Sequence, residues 1–217
     1  MELRPEHLTE ADVLEAFKDV AGLSRREVAL KLMARFQLEE TAAARKEQFG
    51  VPTAWQAFVQ IRMKYYDQIL KETEMLKKHQ CPHNTRLLQW ASENGFLTGL
   101  ATMSPCSEAQ RVLQILNLQE KFVFVATRDD VRNAKPHPEI YLLVSGKLHV
   151  HPENCLVIED SPAGIKAALN AGMRCIAVTN IFTRDRVQES HLLPEELIVN
   201  EPENLLKTVE NLIERKF

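Results

Sequence analysis

Cys155 to Met173 reads CLVIEDSPAGIKAALNAGM. An apolar run, Cys155 to Ile158, closes on two adjacent acids, Glu159 and Asp160. Ser161 then stands where a helix N-cap is wanted, and Pro162 takes the first helical position, where its missing N–H is no loss. Gly172 falls where a helix over Pro162 to Ala171 needs a residue at positive φ to stop. The stretch predicts a buried strand, an acidic strand end and a helix that starts at once. Arg174 to Val178 (RCIAV) is the next strand.

The same grammar extends outward on both sides. Phe96 to Ala101 (FLTGLA) reads as a buried strand, Ser107 to Leu116 as a helix, and Phe122 to Thr127 (FVFVAT) as a short strand. Glu139 to Leu148 is helical, Leu197 to Val199 a weak last strand, and Pro202 to Arg215 a closing helix. Strands alternating with helices at this spacing predict right-handed βαβ units and a parallel sheet. Ligands of such sheets gather at the carboxyl ends of the strands.

Before about residue 78 the text is helical, with no convincing strand. Glu10 to Phe17 has helical spacing, and Ser24 with Glu27 three residues later makes a capping box ahead of Val28, Leu30, Leu32, Met33 and Phe36. Thr53 opens a longer helix whose stripe is Trp55, Phe58, Val59, Arg62, Met63, Tyr66, Ile69 and Leu70. That stripe is expected to be the packing face of a small bundle. The expected division is a helical domain over residues 1–78 and an α/β domain over 79–217.

Composition narrows the partners. The chain of 217 residues is 45% hydrophobic and 26% charged, ordinary for a globular protein. Its 27 Lys and Arg against 30 Asp and Glu leave no basic excess, which argues against nucleic acid or an anionic membrane surface. No apolar run approaches the ~20 residues of a membrane span, and Met1-Glu2-Leu3-Arg4-Pro5 does not read as a signal peptide. A cytoplasmic monomer is the expectation. The four cysteines form no CxxC, and Cys155 and Cys175 are expected to pack as small hydrophobes.

Three polar features fall where predicted strands end. Thr102 follows the first strand, with Met103-Ser104-Pro105 behind it. A hydroxyl there, beside the N–H groups of the next turn, can hold a phosphate oxygen, although a threonine ending a strand is also an ordinary turn residue. Lys135 lies in Ala134-Lys135-Pro136-His137-Pro138, a loop restrained by its prolines. An ammonium held there can neutralise a phosphate or a carboxylate, where most lysines are simply solvated. Glu159 and Asp160 form the third feature. Adjacent carboxylates repel unless something positive stands between them, and oxygen ligands of this kind suit Mg2+. An acidic helix start favourable to the dipole accounts for Asp160 as well, and for Glu159 less well.

Taken together, Thr102, Lys135 and Glu159-Asp160 resemble in order and spacing the second, third and fourth motifs of the haloacid dehalogenase superfamily. Glu159 to Met173 is similar to the fourth motif of its β-phosphoglucomutase and phosphoglycolate phosphatase branch, and residues 1–78 resemble that branch's helical cap. The resemblance implies a doubly wound, Rossmann-like parallel-sheet core with a small cap. It implies an enzyme, a phosphatase or phosphomutase acting on a small phosphorylated metabolite such as a phosphosugar, with Mg2+ as cofactor. It assigns Thr102 to the transferring phosphoryl group, with Ser104 a substrate-binding candidate beside it. Lys135 would link that group to the nucleophile, Asp160 would ligate Mg2+ directly, and Glu159 would support the ion through a water. Ala21-Gly22-Leu23-Ser24-Arg25 resembles the cap loop that contacts a distal phosphate, making Arg25 a substrate candidate; a capping box with surface arginines explains the same letters.

The family's first motif, a strand ending in Asp-x-Asp-Gly, is missing from the sequence, and with it the nucleophilic aspartate. Asp129-Asp130 lies in the third-motif loop and cannot replace it. The expectation is a natural protein that starts roughly 20–30 residues upstream, one strand and one short helix with their turns. A swapped strand or a non-catalytic phosphate-binding protein are the alternatives. A 2-haloacid dehalogenase shares the fold but works without metal, which the paired acids argue against. Two departures from the branch, Ala134 and His83 in place of glycines, would be strained if either backbone needed positive φ.

Overall fold

Thr9 opens the first helix of the computed structural model, which describes residues 8–214. The chain divides into two compact units, one ending at Glu72 and taking in Ile181–Thr183, the other comprising Thr73–Asn180 and resuming at Arg184. The division thus falls at Glu72, ahead of the expected residue 78.

The first unit is helical: α1 Glu10–Lys18, α2 Arg25–Arg35, α3 Glu39–Ala43, α4 Lys46–Phe49 and α5 Ala54–Lys71. The Ser24–Glu27 capping box forms in both directions: the Glu27 amide donates to Ser24 Oγ at 3.3 Å, and the Ser24 amide to Glu27 Oε2 at 3.1 Å. Thr9 and Asp12 make a second box that the apolar pattern did not signal. The buried stripe of α5 differs from the expected one by about one residue. Ala54, Ala57, Ile61 and Leu70 are buried, while Ile69 is 45% exposed and Arg62 lies in solvent. Two small residues at the contact let α2 and α3 approach α5 closely, so Trp55 and Phe58 flank the seam half-buried.

The second unit alternates helices and strands: α6 Thr73–Lys78, α7 Pro82–Glu93, β1 Gly99–Ala101, α8 Cys106–Ile115, β2 Phe124–Ala126, α9 Glu139–Leu148, β3 Leu156–Glu159, α10 Pro162–Asn170, β4 Arg174–Val178, α11 Arg184–Glu189, β5 Ile198–Val199 and α12 Leu205–Glu214. Most of these lie within two residues of the sequence reading; Arg215, the expected end of α12, is outside the described residues. The first strand is shorter than Phe96–Ala101 predicts. Phe96 leaves the strand to stack on Trp90 of α7, centroids 5.6 Å apart and planes at 22°. The helix α7 itself went unrecognised, because its pattern carries one buried leucine, Leu87, and no N-cap side chain.

Among the described residues all strand pairs are parallel, in two groups. β1 pairs with β2, Gly99 opposite Phe124 and Ala101 opposite Ala126. β4 is central in the other group, with Leu156 to Glu159 of β3 opposite Arg174 to Ala177, and Ala177 and Val178 opposite Ile198 and Val199 of β5. A cavity of about 610 Å³ is lined by β1 and β3, by Val144 and Leu148 of α9, and by Trp90 and Val209 of α7 and α12. On one side the core is Ile140, Val144, Ile165 and Ala168; on the other it is Leu87, Ile176, Leu205 and Val209. Helices on both faces of parallel strands make this the doubly wound α/β arrangement. Among the described residues no helix is long and apolar enough to cross a membrane.

Cys175 in β4 is 1% exposed, and burial pushes its thiol up to about 12, whereas Cys81 is a free, exposed cysteine. A small alkylating reagent at pH 7.5 is expected to modify Cys81 rapidly and Cys175 only on unfolding, because the thiolate is the reactive form. Mass mapping of the labelled protein checks this. Labelling of Cys175 as fast as that of Cys81 would contradict its placement.

Candidate active site

The carboxyl ends of β1 and β3 are held together by one side chain, Lys135. Its loop is made rigid from three directions. Glu139, at the start of α9, accepts hydrogen bonds from the Arg132 amide at 2.8 Å, the Asn133 amide at 2.9 Å and the Asn133 side-chain amide at 2.9 Å. Those amide donors hold the Glu139 carboxyl below its ordinary pKa. From the far side, Asn170 at the end of α10 donates to the Pro136 carbonyl at 3.2 Å. Prolines on either side of His137 restrict the remaining backbone.

So positioned, the Lys135 ammonium donates to the Ala101 carbonyl at 3.2 Å and pairs with Glu159 Oε1. It also lies 4.7 Å from the ring centroid of Tyr141, within cation–π range. The two charged side chains are only 12% and 8% exposed, so the pair is buried. Tyr141 was not singled out in the sequence, yet its hydroxyl donates to the same Glu159 oxygen at 2.5 Å. A tyrosine two residues into an apolar helix reads as core, and only the fold brings it to the acid. Burial, and then the Glu159 charge, raise the tyrosine's pKa far above its usual value.

Both oxygens of Glu159 are in use. Oε2 accepts from the Asp160 amide at 3.1 Å, the Ser161 amide at 3.4 Å and the Ser161 hydroxyl at 3.2 Å. Ser161 in turn caps α10 by accepting from the Gly164 amide at 3.1 Å. Burial opposes ionisation of Glu159, but the Lys135 charge and these hydrogen bonds outweigh it, and its carboxyl is held below the ordinary range. Gly164 is explained by the same carboxylate: a Cβ there would fall 2.0 Å from Glu159 Cδ. Removing the tyrosine hydroxyl, Tyr141→Phe, is expected to cost about 1.5–3 kcal/mol, the range for hydrogen bonds to charged groups. Urea unfolding checks this, and a loss under about 0.5 kcal/mol would mean that the bond contributes little.

Asp160 is placed differently. It is exposed at the start of α10, with no other side chain among the described residues bonded to its carboxylate, and its pKa is raised by partial desolvation and then by the neighbouring Glu159 charge. A cation beside it would relieve that repulsion. Among the described residues no group of three or more His, Cys, Asp or Glu could hold a metal ion. An Mg2+ ion at this point would take the Asp160 carboxylate together with water and substrate oxygens, a set that suits an ion that keeps several waters. Glu159 commits its oxygens to Lys135, Tyr141 and Ser161.

Thr102 follows Ala101, whose carbonyl Lys135 grips; its amide continues the ladder to the Ala126 carbonyl at 2.9 Å. Its hydroxyl accepts from the Ser104 amide at 3.1 Å, and the Ser104 carbonyl accepts from the Arg128 amide at 3.1 Å. The strand ends carrying Thr102 and Glu159-Asp160 are thus met by Lys135, from the loop ahead of α9, at one end of the parallel strands. Arg25 is the first residue of α2 in the other unit, inside the formed capping box and directly after its N-cap Ser24. Asp129 and Asp130 are occupied locally: the Cys106 amide donates to Asp129 at 2.8 Å, and the Thr127 amide and hydroxyl donate to Asp130 at 2.8 and 2.7 Å. Neither Ala134 nor His83 has a positive φ, so neither substitution for glycine strains the chain.

Known proteins share this fold. Residues 9–178 match the haloacid dehalogenase-like hydrolase family. The solved structure of β-phosphoglucomutase from Clostridium difficile superposes with a TM-score of 0.62 at 25% identity, covering 91% of this chain and 82% of that one. The phosphorylated carbohydrates phosphatase of Thermotoga maritima is 39% identical over 104 residues, 48% of this chain and 47% of that protein. Hexitol phosphatase B of Escherichia coli strain K12 is 40% identical over 86 residues, 40% of this chain and 39% of that protein. The chain spans about half the length of the curated relatives it matches. On the family match over most of its length, and on the parallel α/β core it shares with a solved relative, the chain belongs to the haloacid dehalogenase-like hydrolases.

Proposed function

We propose that the protein acts on phosphate monoesters of small metabolites as an Mg2+-dependent phosphatase or phosphomutase. The observation that carries this reading is the buried Lys135 ammonium, fixed between the ends of β1 and β3 and paired with Glu159, the chain neighbour of an exposed acid at a helix start. Phosphoryl transfer depends chiefly on positioning and on neutralising the phosphoryl oxygens. Thr102 and Ser104 offer hydroxyls and turn amides to those oxygens, and Lys135 offers the charge. Asp160 would hold the Mg2+ ion, which supplies charge neutralisation of the phosphate when bound. Glu159, pinned by Tyr141 and Ser161, keeps Lys135 aimed at the strand ends and so has a positioning role. Arg25 is the proposed contact to a distal group of the substrate. The relatives' named substrates, phosphorylated carbohydrates and a hexitol phosphate, support a phosphosugar.

The nucleophile is not assigned among residues 8–214, since Asp129 and Asp130 are tied to local donors. That observation favours a second reading, a protein that binds phosphate and Mg2+ without turning substrate over. Calorimetric titration with Mg2+ and inorganic phosphate, paired with a phosphate-release assay on hexose phosphates, separates the two. Both readings expect Mg2+-assisted phosphate binding that weakens at least ~10-fold in Asp160→Asn, one lost contact to the ion. Release of phosphate, or isomerisation of a hexose phosphate, supports the enzyme; binding with neither supports the second reading. Undiminished binding in Asp160→Asn would sink the metal assignment in both. Halide release from 2-haloacids without Mg2+ would favour a dehalogenase instead.

A further inference from the structure

We infer that Asp129 is a positioning residue for the phosphate site: from the end of β2 it fixes the turn that carries Thr102 and Ser104 relative to Lys135. This deepens the phosphoryl-transfer reading and rests on it for what the turn holds. The turn runs from Thr102 to Pro105 and opens α8, whose first amides have no partners within the helix. A helix start usually supplies its own acceptor, a serine, threonine, aspartate or asparagine at the N-cap. Here the N-cap is Pro105, which offers none. The acceptor comes from 23 residues away: the Cys106 amide donates to Asp129 Oδ2 at 2.8 Å. The residue before Asp129 acts on the same turn, the Arg128 amide donating to the Ser104 carbonyl at 3.1 Å. Adjacent residues thus grip the turn on either side of Pro105. Asp130 has a different task, since its carboxylate stays with the Thr127 amide and hydroxyl and closes the short helical turn Arg128–Asp130 that presents Asp129.

The loop that carries Asp129 also carries Lys135, and both ends of it touch the turn. Lys135 holds the Ala101 carbonyl, Arg128 the Ser104 carbonyl and Asp129 the Cys106 amide. Three separate points fix one rigid piece on another, whereas two leave a hinge. The loop is stiff: the Arg128 guanidinium donates to the Val131 carbonyl at 2.6 Å, and Glu139 holds the Arg132 and Asn133 amides. The turn is stiff as well, because the Ser104 amide donates to the Thr102 hydroxyl and the Thr102 amide to the Ala126 carbonyl. The Met103 amide between them has no hydrogen-bond partner among the described residues. That amide and the Thr102 hydroxyl, which still has its hydrogen to donate, are the groups the clamp aims. Without Asp129 the turn pivots about its two remaining contacts, and its Cys106 end moves with α8. A displacement of about 1 Å can cost ~100-fold where several groups must converge on one reacting centre. An ordinary cap for α8 would account for the Cys106 bond alone, but not for the Arg128 contact beside it or for the stiff backbone leading on to Lys135.

The test uses the 217-residue chain and its Asp129→Ala and Asp129→Asn variants, titrated calorimetrically with inorganic phosphate in the presence of Mg2+. Asp129→Ala should weaken phosphate binding at least ~10-fold, part of what a misplaced contact group can cost. Asp129→Asn keeps an oxygen acceptor in the same place and should restore most of that loss. In a Thr102→Val background the Asp129→Ala loss should largely vanish, because Asp129 acts through the turn. Losses that simply add, equal weakening in the two Asp129 variants, or undiminished binding in Asp129→Ala would each overturn the proposal. Amide hydrogen exchange of the ligand-free chain, read by NMR, tests the clamp without phosphate. The Ser104 and Arg128 amides should exchange at least ~10-fold faster in Asp129→Ala and at the unaltered rate in Asp129→Asn. Faster exchange confined to the first turn of α8 would overturn the proposal and leave Asp129 a helix cap. An unaltered chain that binds no phosphate would sink the proposed function instead, and the exchange rates would still decide whether Asp129 holds the turn.

Discussion

Replacing Lys135 by methionine is expected to destabilise the second unit by about 3–5 kcal/mol, the cost of stranding one member of a buried ion pair. The methionine keeps most of the stem's volume, so the loss is chiefly electrostatic. Glu159 would remain at 8% side-chain exposure with its main counter-charge gone. The pH dependence gives the mechanism away. In the wild type, Glu159 has a lowered pKa, so the stability it contributes is present above its unfolded value and lost as pH falls through the folded one. In Lys135→Met, burial is opposed only by the remaining hydrogen bonds and raises that pKa, so the sign reverses and the variant recovers stability relative to wild type as pH falls. The double variant with Glu159→Gln should recover part of the loss at neutral pH, since both charges then leave together. Urea unfolding in a Trp55→Phe background follows this unit through Trp90, the remaining tryptophan. A loss below about 1 kcal/mol, as exposed pairs give, would mean that water reaches the pair freely.

The second large effect is at Gly164. Alanine for glycine inside a helix usually stabilises by about 0.5–1 kcal/mol. Here the sign is expected to reverse, because the new methyl group would sit 2.0 Å from the Glu159 carboxylate carbon. A long side chain normally swings away from such a clash at little cost. This one is held by Lys135, Tyr141 and Ser161, so moving it breaks several hydrogen bonds to a buried charge. A net loss of about 2–3 kcal/mol follows from overpacking and the weakened bonds, less the helix gain. The variant should also bind phosphate more weakly, since Lys135 loses the partner that aims it. A Gly164→Ala protein as stable as wild type would show that Glu159 has a second resting place.

Much of the α/β unit could be read from the chain because its signals are local. Glu139 to Leu148 and Arg174 to Val178 are bounded in the structure as their patterns predict, and Ser161, Pro162 and Gly172 mark both ends of α10. Where local pattern competes with packing, the reading slips. Phe96 and Leu97 are as apolar as any strand residue, yet Phe96 stacks on Trp90 and the ladder starts at Gly99. On α5 the aromatic residues advertise one face, while the small ones, Ala54 and Ala57, decide the seam because only they permit close approach.

The sequence alone determined which residue types stand at the ends of the strands, because strand ends, caps and proline-restrained loops depend on a few neighbouring side chains. It singled out Thr102, Lys135, Glu159 and Asp160 by their order along the chain. What only the tertiary structure decided is how the paired acids divide their work. Glu159 is buried against a lysine 24 residues away and a tyrosine 18 residues away, while Asp160 is left facing solvent. Adjacent residues in a strand point to opposite sides, and which side is protein and which is water depends on the helices packed across them, not on the letters themselves.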